Sequence, residues 1–354
     1  MSAVYPRSQH APYVLLLIIA IVLSAFGGIL TSTAQAAGVP ALVQIIDTSA
    51  WGPPGARNAS PDPSGITYWP SRDRLVVVDG EVDEMRIYNG ANLFLAERTG
   101  AVTGSANTLA FTPEPVGIDI EVDPETNQFF ISDDSNKTIW VISLGGDGQF
   151  GTDDDTRRSF LSPSGDPEGL TFGRHNGQKR LFTLDGLNRR VWVTDPGSGG
   201  IFGDGNDTST SFDVGLTTQS AIRDPEGIDY NPDTGTLFVV DRSGEQLVEM
   251  TTSGGFIRSI DLRQFFVPDP RNPSNLQDEF NPADVTFAPS SSATDDPTIK
   301  NLYVVARGVD NNDYAQENDG KIYEITLDGD PPPARIKDMT FEDGCLSGST
   351  CTSG

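Results

Sequence analysis

The chain has 354 residues, with 24 Lys plus Arg against 50 Asp plus Glu and a formal net charge of −26. An acidic surface of this kind disfavours a nucleic-acid partner, because phosphate neutralisation needs clustered cations. Two histidines and two cysteines exclude His-rich zinc sites and a thiol nucleophile in the core, and 37 Gly with 25 Pro point to many short turns rather than long helices. Of the histidines, His10 lies in the N-terminal segment. His175 stands in the turn Gly173-Arg174-His175-Asn176-Gly177, where a solvated turn residue is a plainer reading than the base of a Ser-His-Asp set.

Residues 1–37 read as an export signal. Arg7 and His10 precede an unbroken apolar run from Tyr13 to Leu30, and Ala34-Gln35-Ala36 follows with the small-residue spacing of a cleavage site. The alternative is an uncleaved N-terminal anchor, since the run is near the length that spans a bilayer. Either way the chain is expected outside the cytoplasm: extracellular, periplasmic or at the cell surface, with no other membrane attachment. An oxidising compartment would allow a Cys345–Cys351 disulfide in the polar tail, residues 341–354.

Between these ends, five segments share one pattern: Pro63-Ser64-Gly65-Ile66, Pro115-Val116-Gly117-Ile118, Pro167-Glu168-Gly169-Leu170, Pro225-Glu226-Gly227-Ile228 and Pro282-Ala283-Asp284-Val285. The third position falls at 65, 117, 169, 227 and 284, at intervals of 52, 52, 58 and 57 residues. A period of this size marks a supersecondary unit repeated around an axis. Each unit continues with a second strand, Arg74–Asp79, Gln128–Asp133, Arg180–Asp185, Thr236–Asp241 and Asn301–Ala306. Third strands are predicted at 85–88, 139–142, 191–194, 247–250 and 322–325, and a polar fourth strand is clearest at 256–262. Runs such as Leu75 to Val78 are apolar on both faces, as strands buried between neighbouring sheets require. Four strands per unit, buried inside and polar at the rim, describe a propeller blade. The fold class is therefore all-β, a propeller of antiparallel four-stranded blades over about residues 42–340.

The order Pro-x-Gly-apolar, strand, Asp-x-x-Asn, strand is clearest in Asp133-Asp134-Ser135-Asn136 and Asp185-Gly186-Leu187-Asn188. It resembles the NHL-repeat group of β-propellers over roughly residues 60–327. The Asp and Asn have a structural task, bonding the backbone amides of the turn. The fifth unit departs, with Ala306-Arg307-Gly308 where the others carry Asp. Blade number stays open. Leu42–Asp47 resembles an outer strand able to close the ring of five, while Ala334–Met339 resembles another, and a sixth blade beyond Gly354 would fit a truncated chain.

Two insertions carry carboxylates next to glycine. Asp147, Asp153, Asp154 and Asp155 lie in one, and Asp204, Asn206 and Asp207 in the aligned other. Oxygen donors on a Gly-rich loop suit Ca²⁺, which takes six to eight oxygens, although neither loop has the twelve-residue EF-hand spacing. The plainer reading is an acidic turn held by its own side chains. A third acidic stretch, Asp310–Asp319, is a weaker candidate. No organic cofactor is indicated.

The residue before each motif glycine should lie at one mouth of the central channel, where a protein, glycan or small-molecule ligand would bind. In the gluconolactonase and regucalcin-like propellers, which this layout resembles, an acid or amide there binds a catalytic divalent metal. The five positions are Ser64, Val116, Glu168, Glu226 and Ala283, with Asp284 adjacent. Glu168 and Glu226 fit that resemblance, whereas Val116 and Ala283 cannot ligate. The expectation is accordingly a secreted acidic propeller acting as a binding or scaffold module, with calcium as a stiffener. The alternative is a calcium-dependent lactonase, esterase or phosphoesterase. The two part on whether Glu168 and Glu226 converge on open space or bond arginines.

Overall fold

The computed structural model describes residues 39–51, 59–82, 90–122, 125–215, 221–267, 280–308 and 319–327. The predicted signal segment, the strands predicted at 85–88 and 334–339, most of the third acidic stretch and both cysteines lie outside the described residues. The chain begins with β1 (Ala41–Asp47). The first blade comprises β2 (Pro63–Trp69), β3 (Arg74–Asp79), β4 (Leu93–Ala96) and β5 (Val102–Ala106). The second comprises β6 (Pro115–Val122), β7 (Glu125–Asp133), β8 (Thr138–Ser143) and β9 (Thr156–Leu161). The third comprises β10 (Pro167–His175), β11 (Gln178–Asp185), β12 (Arg190–Asp195) and β13 (Thr208–Asp213). Then come β14 (Pro225–Asn231), β15 (Thr236–Asp241), β16 (Gln246–Thr251) and β17 (Phe256–Asp261), and finally β18 (Pro282–Pro289), β19 (Lys300–Ala306) and β20 (Lys321–Thr326).

These strands form five four-stranded antiparallel sheets, and the fifth is completed from the N-terminus in the order β1-β20-β19-β18. Among the described residues the blades thus number five, with Leu42–Asp47 as the closing strand: Ile46 pairs with Ile322 and Ile45 with Tyr323. Each innermost strand packs beside the next, and β18 returns to β2. In the first blade, the third place belongs to Leu93–Ala96, pairing Leu93 with Val78, some residues later than the run at 85–88 that composition alone favoured.

Every innermost strand starts on the motif proline, whose missing N–H costs nothing at a strand's first residue. Each also shifts register directly after it, between Pro63 and Gly65, Pro115 and Gly117, Pro167 and Leu170, Pro225 and Ile228, and Pro282 and Asp284. A bulge repeated at the same place in all blades bends each inner strand toward the axis. The strands meet there so closely that the motif position admits no side chain in the four blades that carry glycine. A Cβ on Gly117 would lie 2.7 Å from the Cα of Gly169 and 2.7 Å from Ser132 Oγ, and one on Gly169 would lie 2.8 Å from the Cα of Gly227. Outside this ring, apolar clusters fill the seams between blades, such as Phe130, Ile139, Leu170, Phe172, Leu181 and Phe202 between the second and third.

Gly117→Ala should therefore lower stability by about 2 kcal/mol or more, since two of the three nearest neighbours, the Gly169 Cα and the Glu168 carbonyl, are backbone and cannot yield. Urea unfolding of the two proteins measures the difference.

Candidate functional site

The channel has two ends, and the sequence pattern assigns different side chains to each. At the starting end of the inner strands lie the residues before the motif glycine. Ser64 is buried and donates to the Pro115 carbonyl of the next blade at 2.7 Å. Val116 and Ala283 are buried and apolar. Glu226 is held by two arginines: Arg242 Nε lies 3.2 Å from its Oε1 and Arg307 Nη2 lies 3.7 Å from its Oε2. Arg242 also bonds Asp224 at 2.9 Å, while Arg307 reaches Asp62 at 3.5 Å and Glu81 at 3.8 Å. Burial pushes Glu168 well up, the charge of Glu226 adds to this, and Arg307 opposes it. Burial likewise raises Glu226 against the pull of both arginines. Burial also opposes the charge on Arg307, but Asp62, Glu226, Glu81 and Glu168 more than offset that and hold its proton more tightly.

Arg242 and Arg307 occupy equivalent places, directly after the second strands β15 and β19. The residue after the second strand is thus an arginine in both the fourth unit, which keeps its turn Asp241, and the fifth, which carries Ala306 there, and the buried Arg307 brings positive charge to Glu226 and, at longer range, to Glu168. Glu226 is paired with both arginines and Glu168 feels the charge of Arg307, and among the described residues no three His, Cys, Asp or Glu side chains form a group able to hold a metal ion.

The insertions do different work. Asp155 accepts the amides of Gly145, Gly151 and Thr152 at 3.2, 2.7 and 3.3 Å, and Asp154 accepts the Thr152 hydroxyl. Asp147 accepts the Gln149 amide. Asp207 accepts the Gly203 amide at 2.6 Å, matching Asp155 and Gly151 in the aligned loop, and Asp204 holds Asn206. Burial raises Asp207, and the Gly203 amide opposes the rise. Asp153 is exposed and lines a smaller cavity with Asp155 and Arg157. Each loop is also pinned by its aromatic residue, Phe150 against Trp69 and Phe129, and Phe202 against Phe130 and Phe172.

The other end of the channel carries the more open site. The residues two places after the motif position are Thr67, Asp119, Thr171, Asp229 and Thr286. Thr67 donates its hydroxyl to Asp119 Oδ1 at 2.7 Å, and Asp119 Oδ2 accepts the Phe172 amide at 2.7 Å. Thr171 donates to Asp229 Oδ1 at 2.9 Å, and Asp229 Oδ2 accepts the Phe287 amide at 2.8 Å. Asp284, in the fifth motif position, is fully buried and accepts the Ile66 amide at 2.9 Å and the Ile228 amide at 3.1 Å. Asp119 and Asp229 keep part of their surface open because they border a cavity of about 440 Å³. Its walls are Tyr68, Ile120, Phe172, Tyr230 and Phe287, and Arg174, Lys179 and Lys300 stand around it.

Protein atoms crowd the remaining sides of both carboxylates. Burial raises Asp119 to about 6 and raises Asp229 to about 7, the latter helped by the charge of Asp119. Asp284 is pushed well up by burial, and the other two add to it. These acids stand directly after the repeated motif, in Ile118-Asp119-Ile120 and Ile228-Asp229-Tyr230. The available signal was the alternation Thr, Asp, Thr, Asp, Thr at one position of a five-fold repeat.

Fold and site together define a five-bladed β-propeller with an arginine-filled channel mouth at one end and an aromatic, carboxylate-floored cavity at the other. A family model described as SdiA-regulated matches residues 208–270, which cover β13 and the fourth blade. No curated protein matches. Solved structures that resemble the chain include the luciferin-regenerating enzyme, at 13% identity and a TM-score of 0.43, covering 80% of this chain and 95% of that one. A streptogramin B lyase matches at 14% identity and a TM-score of 0.38, covering 76% and 95%. A chain of a nidogen–laminin complex matches at 15% identity and 0.38, covering 57% of this chain, which spans 64% of that one. Likeness at this level assigns no activity.

The raised carboxylates set a pH dependence. Unfolded, Asp119 and Asp229 release their protons near the ordinary 3.8, whereas folded they keep them to about 6 and 7. Between about pH 4 and pH 7 the native state binds more protons than the unfolded chain, so these two groups make stability fall as pH rises. Thermal unfolding followed by circular dichroism across that range should show a steeper decline for the wild type than for Asp119→Asn plus Asp229→Asn.

Proposed function

We propose that this chain is an exported ligand-binding propeller whose binding site is the cavity between Tyr68, Phe172, Tyr230 and Phe287. The observation that carries this reading is the cavity itself: about 440 Å³, walled by aromatic residues around two partly open carboxylates. Concave, largely apolar sites with a few convergent polar groups are the usual form of small-molecule sites. Inner strands locked at their glycines give that site a rigid frame. Export rests on the apolar run before Ala34-Gln35-Ala36. Calcium is not required by this reading, because the insertion carboxylates already serve their own loops' amides. The alternative of a hydrolase with its metal on Glu168 and Glu226 is the weaker one, because Arg242 and Arg307 hold Glu226.

Pro70 and Pro232 border the cavity from exposed turns, so tryptophan there would obstruct it without touching the core. Titration with the neutral fluorescent dye N-phenyl-1-naphthylamine should show one saturable site. Pro70→Trp plus Pro232→Trp should weaken it about tenfold or more, with the unfolding temperature unchanged. Absence of saturable binding, or equal binding by the obstructed variant, would overturn the proposal.

A further inference from the structure

Resting on that reading of the cavity, the geometry points to an organic ammonium ion as its ligand: a protonated amine on an apolar, aromatic-sized body, its charged end seated at Asp119 and Asp229. Three observations converge on this class. First, the carboxylates have a place for another donor. Asp119 Oδ1 accepts the Thr67 hydroxyl and the Ile120 amide, while its Oδ2 accepts the Phe172 amide. Asp229 Oδ1 accepts the Thr171 hydroxyl and the Tyr230 amide, while its Oδ2 accepts the Phe287 amide. A carboxylate offers about four acceptor positions; Asp229 has filled three, while Asp119 has filled three and also lies against the Thr171 hydroxyl, whose proton goes to Asp229, and both residues open on the cavity.

Second, the charges at this depth and at the rim are balanced differently. Lys179 is paired with Glu121, and Lys300 lies 3.7 Å from Asp233. Arg174 donates to the Gly177 carbonyl of its own turn at 3.2 Å. The rim cations thus have local partners at the solvent edge. By contrast, the leading influences on Asp119, Asp229 and Asp284 are burial, hydrogen-bond donors and one another. Burial of several carboxylates without a counter-ion is costly unless protons or cations accompany them.

Third, the walls suit such a ligand. Tyr68, Phe172, Tyr230 and Phe287 bring four aromatic side chains to the cavity lining from the same position of four different inner strands, and aromatic faces attract cations within a few ångströms. An ammonium ion entering this space takes the place of a proton that burial otherwise keeps on these acids. The exchange balances as ammonium plus protonated site giving complex plus one proton released to solvent.

The test is calorimetry on the full chain at pH 8 with three probes of similar shape: 2-phenylethylamine, 2-phenylethanol and 3-phenylpropionate. The amine should bind about tenfold or more tightly than either of the others. Repeated at pH 6.5 in buffers of different ionisation enthalpy, its binding should release protons. Asp229→Asn should weaken the amine and leave the alcohol unchanged. Because that variant could fail to fold, the wild-type ranking and proton release stand as sufficient readouts. Equal or tighter binding of 3-phenylpropionate, or amine binding without proton release, would overturn the ammonium assignment. If the neutral dye also fails to bind, the cavity reading falls with it; if the dye binds while the amine has no advantage, only the ligand class is wrong.

Discussion

Closure of the ring depends on three carboxylates that bridge neighbouring inner strands. Asp119 joins the second blade to Thr67 of the first and to the Phe172 amide of the third. Asp229 joins the fourth to Thr171 of the third and to the Phe287 amide of the fifth. Alternation of Thr and Asp serves four seams, but five is odd, and the remaining seam brings threonines at both Thr286 and Thr67. Asp284 resolves the mismatch by standing where the other blades carry glycine, accepting amides from Ile66 across that seam and from Ile228 on its other side. Every seam thereby has a carboxylate across it. Buried acids are unfavourable in themselves, yet each accepts donors from neighbouring inner strands that only the assembled ring supplies. The bonds therefore favour one closure, in one register, over looser arrangements of the same sheets.

The same constraint divides the channel into two environments. At the narrow ring no side chain except Asp284 is accommodated, so the space at one end does not run freely into the other. On the starting side, four acids from three blades surround Arg307, whose backbone amide is anchored to the Asn281 carbonyl at 3.0 Å. Losing the turn aspartate at Ala306 is tolerable because Asn281 Nδ2 reaches the Gly308 carbonyl across the same turn. On the far side the inner strands diverge past their threonines and aspartates, and the aromatic residues that follow leave a cavity instead of filling it. Binding chemistry is concentrated where the repeat places a large ring next to a partly open carboxylate.

The acidic composition is distributed among these tasks. Asp133 and Asp185 cap their own turns through the Asn136 and Asn188 amides, each at 2.9 Å. Asp79 and Asp241 also hold the segment leading into the inner strand, through the amides of Asp62 and of Arg223 and Asp224. Much of the negative charge is accordingly structural, spent on backbone donors in a fold made of turns.

The sequence by itself determined the blades: their period, the proline at which each inner strand starts, the second strands and the Asp-capped turns, because these follow from local alternation and turn chemistry. It also singled out Glu168 and Glu226 as residues of one channel mouth. What surrounds those glutamates was decided only by the tertiary structure, since Arg307 lies 81 to 139 residues away in sequence and approaches them only through the packing of blades around the axis. The closing role of Leu42–Asp47, the seam function of Asp119, Asp229 and Asp284, and the aromatic cavity are of the same kind. Each arises between blades, where hydrogen bonds and burial are set by which strands become neighbours around the axis, and a one-dimensional pattern records the repeated unit but not the space that the units enclose.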